Sequence, residues 1–293
     1  MNVPPPPADA LAMIIAAALD EDRASYDVTT RALVPAEQGG EATVLYKQAG
    51  IVCGLDVMAQ VFQQVSDEIE VTSSYEDGDW VDAGTEVAEV TGPLAAILSG
   101  ERVALNLIQR MSGIATMSHE YVEAAKKGGS ARVVDTRKTT PGLRAVERYA
   151  VRIGGAHNHR NTLEDGILIK DNHIEAAAQR EVDLAGVIAL ARERSAHTVR
   201  IEVEVVDAAM AREAVAAGAD VILLDNMTPE EMRAVVAEHR ADPANRRVLF
   251  EASGGITLET IAEVASTGVD LISCGALTHS APALDISLDV RPA

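Results

Sequence analysis

Between Arg132 and Arg160, seven Lys and Arg side chains stand against only two acids, Asp135 and Glu147, in a chain of formal net charge −20. Arg presents a planar fork suited to carboxylates, and Lys a mobile point charge. An acidic protein that concentrates cations beside Gly turns and histidines is equipped to hold a small, highly anionic ligand. The run Asp135-Thr136-Arg137-Lys138-Thr139-Thr140-Pro141-Gly142-Leu143-Arg144 places Arg and Lys side by side, and Pro-Gly marks a turn whether the loop binds a ligand or is merely solvated. In Gly154-Gly155-Ala156-His157-Asn158-His159-Arg160 the glycines allow close backbone approach, and His and Arg can donate to carboxylate oxygens. The His-x-His pair has no third His or Cys at zinc-site spacing.

Further along, Lys170 follows an apolar run, where it fits an ion pair, an anion contact or a Schiff-base nucleophile. Glu202 and Glu204 alternate within Ile-Glu-Val-Glu-Val, so they share one strand face and need a cationic partner such as Lys138, Lys170 or Mg²⁺. Asp225 ends Val-Ile-Leu-Leu-Asp and adds a carboxylate; oxygen-only ligation of this kind suits Mg²⁺ shared with phosphates. Ser253-Gly254-Gly255 and Cys274-Gly275-Ala276 close two successive strand-like runs, each followed by helix-like sequence. Phosphate-binding βα loops of barrels have this form, as do ordinary tight turns.

These residues need a scaffold that gathers strand ends. The chain has 293 residues, 47% apolar but 3% aromatic, so its core is built of Ala, Val, Leu and Ile. That suits parallel strands covered by Ala-rich helices. Six β-branched runs, ARVVDT, GILIKD, TVRIEVEV, DVILLD, RVLFEASGG and DLISCGAL, alternate with helical segments and end in polar or Gly residues. An α/β fold follows, with an incomplete (β/α) barrel over 112–279 whose C-terminal strand ends form one rim. Ahead of it, 13–111 reads as an N-terminal α+β sandwich-like domain with a C-terminal return at 280–293, and 1–12 as a disordered Pro-rich tail. The stretch ERVALNLIQRMSGIATMSHEYVEAAKKGG predicts one or two helices interrupted near Ser112-Gly113. Negative charge and few aromatics argue against nucleic-acid binding. No apolar run of about 18 residues predicts a membrane span. Two cysteines without CxxC point to a cytoplasmic protein.

The stretches ERVALNLIQRMSGIAT, DTRKTTPGLR, YAVRIGGAHNHR, ILIKDNHI, IEVEV, DVILLDNM, EASGGI and ISCGALTHS resemble, in order and over about 16–290, those of the quinolinate phosphoribosyltransferases. The resemblance implies a type II phosphoribosyltransferase fold and homodimers, or a higher oligomer, with active sites shared between subunits. It also implies transfer from phosphoribosyl pyrophosphate to quinolinate with Mg²⁺, giving nicotinate mononucleotide, pyrophosphate and CO₂ in NAD biosynthesis. On the same ground Thr136, Arg137, Lys138, His159, Arg160 and Lys170 match the quinolinate pocket, and Arg102 matches an arginine reaching across the dimer interface. Glu204 and Asp225 match the acids at the ribose and Mg²⁺, with Lys138 and Lys170 beside the reacting atoms. Ser253, Gly254, Gly255, Cys274, Gly275 and Ala276 match the phosphate loops, while Arg132, Arg148 and Arg152 are read as structural. Three departures stand out: Ala156 for the family's usual third Gly, Cys274 for a common Val, and Arg23–Tyr26 without the usual Gly. A barrel aldolase or lyase forming an imine at Lys138 or Lys170, and a non-catalytic anion-binding relative, are the rival readings.

Overall fold

The structure, a computed structural model, describes residues 3–243 and 247–292. The chain divides into two units, each built from separated segments. One runs to His119, takes up Lys138–Gly155 and resumes at Leu277; the other holds Glu120–Arg137 and Ala156–Ala276. The first unit therefore includes 112–119 and 138–155, which the continuous boundaries expected from sequence had given to the barrel.

In the first unit, α1 (Ala8–Glu21) begins directly after the prolines and buries Leu11 and Ile15. Residues 8–12 are thus helical, so the extended tail is shorter than expected. Residues 1–2 lie outside the described chain. Then come α2 (Val28–Leu33), β1 (Gly39–Tyr46), β2 (Gly50–Ile51), α3 (Leu55–Val65), β3 (Glu70–Ser73), β4 (Trp80–Val81) and β5 (Thr85–Pro93). A four-stranded sheet runs β12-β1-β5-β3, where β12 (Ile286–Pro292) returns antiparallel to β1. Alternation along β1 buries Ala42, Val44 and Tyr46 on one face.

The helix α4 (Leu94–Lys126) continues through Ser112-Gly113 without the predicted interruption. One helical Gly costs only about 1 kcal/mol relative to Ala, which packing outweighs. Small residues serve close approach there. A Cβ on Gly113 would lie 1.9 Å from the Pro282 carbonyl oxygen. Ser112 Oγ lies 2.9 Å from the Tyr46 hydroxyl and accepts from the Cys53 amide at 3.1 Å. The segment carrying α5 (Arg144–Ile153) is fixed by Glu147, fully buried and paired with Arg110 at 2.9 Å, while the Thr140 amide donates to its other oxygen at 3.0 Å. A buried carboxylate so partnered is costly to expose or to orphan.

The second unit is a six-stranded parallel sheet, β6-β11-β10-β9-β8-β7 in order. Its strands are β6 (Arg132–Val134), β7 (Ile167–Ile169), β8 (Ile201–Val205), β9 (Val221–Asp225), β10 (Leu249–Ser253) and β11 (Leu271–Ser273). These are the six β-branched runs of the sequence. Helices α6 (Asp171–Ala178), α7 (Leu184–Arg194), α8 (Ala208–Ala216), α9 (Pro229–Arg240) and α10 (Ile261–Ala265) connect them, and α11 (Ala276–His279) follows β11. The sheet is extended past β6 by a parallel bridge between Val134 and His157. Arg160 Nη1 donates to the Gly166 carbonyl at 2.9 Å, just ahead of β7, which links the two sheet edges. Among the described residues no helix is long and apolar enough to cross a membrane.

Replacing Gly113 by Ala is expected to lower unfolding stability by about 1–3 kcal/mol through overpacking against Pro282. Urea denaturation monitored by circular dichroism measures it, and an unchanged midpoint would contradict the close approach.

Candidate active site at the C-terminal rim of the parallel sheet

Parallel strands point their C-terminal ends the same way, so Asp135, Lys170, Glu204, Asp225, Ser253 and Gly275 come to one rim of the second unit. Lys170 follows β7, where it serves as the N-cap of α6; its backbone amide donates to His173 Nδ1 at 3.0 Å. Its ammonium is ion-paired with Glu204 Oε2. That pairing uses the protonated amine, which has no lone pair for imine formation, and it disfavours the Schiff-base reading. Asp225 ends β9 and accepts from Asn226 Nδ2 at 2.8 Å. Asn226 has left-handed backbone (φ 53°), and its amide donates to the Ser253 carbonyl at 2.9 Å.

That bond binds the Asp225 corner to the Ser253-Gly254-Gly255 loop. Gly254 has φ +97°, and a Cβ there would lie 2.2 Å from Asn226 Oδ1. Gly255 also has positive φ (61°), so two successive left-handed residues form the turn. Sequence reasoning placed helix-like sequence after each phosphate loop, and a helix follows each. The structure starts α10 only at Ile261, six residues beyond Gly255, whereas α11 begins at Ala276 itself. Cys274 is 2% exposed, and burial together with the Glu251 charge pushes its thiol up to about 12. It is an inert apolar filler, and its amide donates to the Val134 carbonyl at 2.9 Å.

The cations are arranged around Asp135, which is fully buried at the end of β6. Asp135 accepts from the His159 amide at 2.8 Å and from Asn158 Nδ2 at 2.7 Å, so one carboxylate orients the whole 157–160 segment. Arg160 sits half-buried. Burial and the like charge of Arg137 hold its guanidinium below the ordinary value. Arg137 Nε is buried without a hydrogen-bond partner among the described residues. Two guanidiniums held near one another, one with a bare buried N–H, form a receptor for a multiply charged anion. Thr136 is half-buried beside them.

His159 points its ring into the sheet. Nε2 lies 3.1 Å from Glu202 Oε2 and 3.6 Å from Glu251 Oε1. Burial works to lower the imidazole pKa, but the hydrogen bond to Glu202 and the charges of Glu251 and Glu202 outweigh it and raise the pKa. Glu202 therefore meets His159, while Lys170 pairs with Glu204. Sequence reasoning singled out neither Glu251 nor Asp135 for this role; Glu251, buried mid-strand in Leu-Phe-Glu-Ala-Ser, is a costly residue without function and was the available signal.

Two predicted residues belong to the other unit. The Lys138 carbonyl accepts from Thr278 Oγ1 at 2.9 Å, and its side chain is exposed. Arg102 lies on the exposed side of α4, 3.9 Å from Glu101.

The family model "Quinolinate phosphoribosyl transferase, N-terminal domain" matches residues 27–112, and the corresponding C-terminal domain matches 114–289. A Bacillus subtilis protein named "Probable nicotinate-nucleotide pyrophosphorylase [carboxylating]" is 46% identical over 270 residues, covering 92% of this chain and 90% of its own. The Mycobacterium leprae nicotinate-nucleotide pyrophosphorylase [carboxylating] is 41% identical over 285 residues, covering 96% and 98%. The solved nicotinate-nucleotide pyrophosphorylase of Francisella tularensis superposes with a TM-score of 0.89 at 36% identity, covering 97% of each chain. With both domain models matched end to end and relatives of this similarity, the chain belongs to the quinolinate phosphoribosyltransferase family.

Proposed function

We propose that the chain transfers the phosphoribosyl group of phosphoribosyl pyrophosphate to quinolinate and decarboxylates the product, a pentosyltransferase step of NAD biosynthesis yielding nicotinate mononucleotide, pyrophosphate and CO₂. The observation that carries this reading is the Arg137–Arg160 pair with its bare buried N–H. Quinolinate bears two carboxylates, and such a dianion supplies what two adjacent guanidiniums lack. Thr136, His159 and Lys170 complete the pocket in this reading, with Lys138 adding a cation and Arg102 reaching in from a second copy of the chain.

As pyrophosphate leaves C1, positive charge develops on the ribose. Glu204 and Asp225 stabilise it electrostatically, while their Lys170 and Asn226 partners keep each carboxylate aimed. The pyridine nitrogen then attacks C1. With that nitrogen cationic, the adjacent carboxylate departs as CO₂ and leaves its electron pair in the ring. The cations keep the ring oriented, so positioning is the main contribution. The loops at Ser253, Gly254 and Gly255, and at Cys274, Gly275 and Ala276, offer backbone to the phosphates.

Mg²⁺ fits this donor set in part. Glu204 and Asp225 each give one oxygen to a protein donor and keep one for a cation, and Mg²⁺ commonly takes one or two carboxylates plus substrate phosphates. When bound, it would neutralise phosphate charge. The two cysteines are free and buried, in keeping with a cytoplasmic setting.

An assay with quinolinate, phosphoribosyl pyrophosphate and Mg²⁺ is expected to give nicotinate mononucleotide and CO₂; turnover of nicotinate but not quinolinate would overturn the reading. Arg137→Ala is expected to raise KM for quinolinate about 10- to 100-fold and to leave that for phosphoribosyl pyrophosphate within a few-fold. Equal loss for both substrates would misplace Arg137. Mixing inactive Arg102→Ala and Lys138→Ala chains should restore part of the activity, and mixed oligomers without recovery would count against shared sites.

A further inference from the structure

Three titratable groups, two of them buried, converge inside the parallel sheet from three separate elements: half-buried His159 from the bridging segment, Glu202 from β8 and Glu251 from β10. Their facing atoms lie within 4.8 Å of one another. The side chains of Glu202 and Glu251 are 9% and 1% exposed, and Oε1 of each is buried without a hydrogen-bond partner among the described residues. Two ionised carboxylates packed so closely would each cost several kcal/mol in desolvation. A divalent cation or a proton could relieve this, and the His159 ring decides between them. Its Nδ1 accepts from the Arg160 amide at 2.8 Å, so in the neutral ring the hydrogen sits on Nε2. Nε2 then has no lone pair for a metal and instead donates to Glu202.

We propose that Glu202 and Glu251 are positioning residues for the quinolinate pocket: from within the sheet they lock the His159 imidazole with its hydrogen on Nε2, and through it they fix the backbone of His159 and Arg160. The inference rests on the function proposed above. Glu202 Oε2 faces the ring nitrogen at 3.1 Å and Glu251 Oε1 at 3.6 Å. Burial, and then the charge of Glu202, push the Glu251 carboxyl up to about 7. Ser273 on β11 also hydrogen-bonds Glu251, and Arg160 is the cation whose charge bears on the ring. A hydrogen on Nδ1 would be set against the Arg160 amide. The segment is thus braced from two sides. Asp135 holds its backbone and the acid pair holds its ring, leaving Arg160 to span to Gly166. The two acids contact His159 and not the substrate; their effect on quinolinate runs through Arg160.

The test combines a spectroscopic and a kinetic arm on the full chain. In protein labelled with ¹⁵N-histidine, long-range ¹H–¹⁵N correlations at a pH above the ring's titration report the tautomer of His159, assigned by loss of its signals in His159→Asn. The expected pattern is a neutral ring with hydrogen on Nε2, retained in Glu251→Gln because the amide is a neutral isostere of the acid. Glu202→Leu and Glu251→Leu are expected to raise KM for quinolinate about tenfold, with kcat and the KM for phosphoribosyl pyrophosphate within twofold, and Glu251→Gln to rescue it. A ring with hydrogen on Nδ1, a doubly protonated ring, or a Gln variant as impaired as the Leu variant would each overturn the proposal. The tautomer is read without turnover, so a chain inactive on quinolinate but carrying the Nε2–H ring would refute the function and not the lock.

Discussion

A charged group inside a sheet must be matched at short range, and that constraint governs the second unit. Glu202, Glu204 and Glu251 project from central parallel strands that apolar residues would fill more cheaply. Each is met by a group from another element: Lys170 for Glu204, His159 for Glu202 and Glu251. Asp135 repeats the pattern with backbone and amide donors. The acids thus do two jobs. In the proposed function they offer negative charge where a ribose cation develops, and they hold the cationic side chains that would receive the substrate. In the reading proposed here, receptor and counter-charge are interlocked.

The six strands and the polar residues at their ends were legible because periodicity alone reports them: β-branched runs separated by Ala-rich helices, each ending in a polar residue or Gly. The cationic island was legible from composition. The identity of each residue's partner was not. Glu202 and Glu204 alternate identically, yet one meets an imidazole and the other an ammonium; the bridge at His157 brings the imidazole of His159 in, and Gly154-Gly155-Ala156 carries no strand signal. Glu251 passed unremarked because a single acid in an apolar run looks ordinary until its burial is known.

Segment membership was also hidden. Lys138–Gly155 looks like the continuation of a βα unit, but Glu147 binds Arg110, about ten turns of helix away in sequence terms, and this ties the segment to the first unit. Likewise Ser112-Gly113 carries the signature of a helix break, and its small residues are used instead for close approach by Pro282 and Tyr46. At Ser112-Gly113 local sequence signalled correctly that something unusual happens, and in both cases only tertiary contact says what.

The return of β12 to β1 has a consequence for how the molecule is made. Gly40 pairs with Pro292, so the first sheet cannot be finished until β12 has left the ribosome, about 250 residues after β1. Until then β1 presents an unpaired edge of backbone donors and acceptors to every neighbouring chain. Contacts of such long sequence separation are slow to form. The nascent protein must therefore keep a half-built sheet from joining the wrong partner while the parallel sheet is synthesised in the interval.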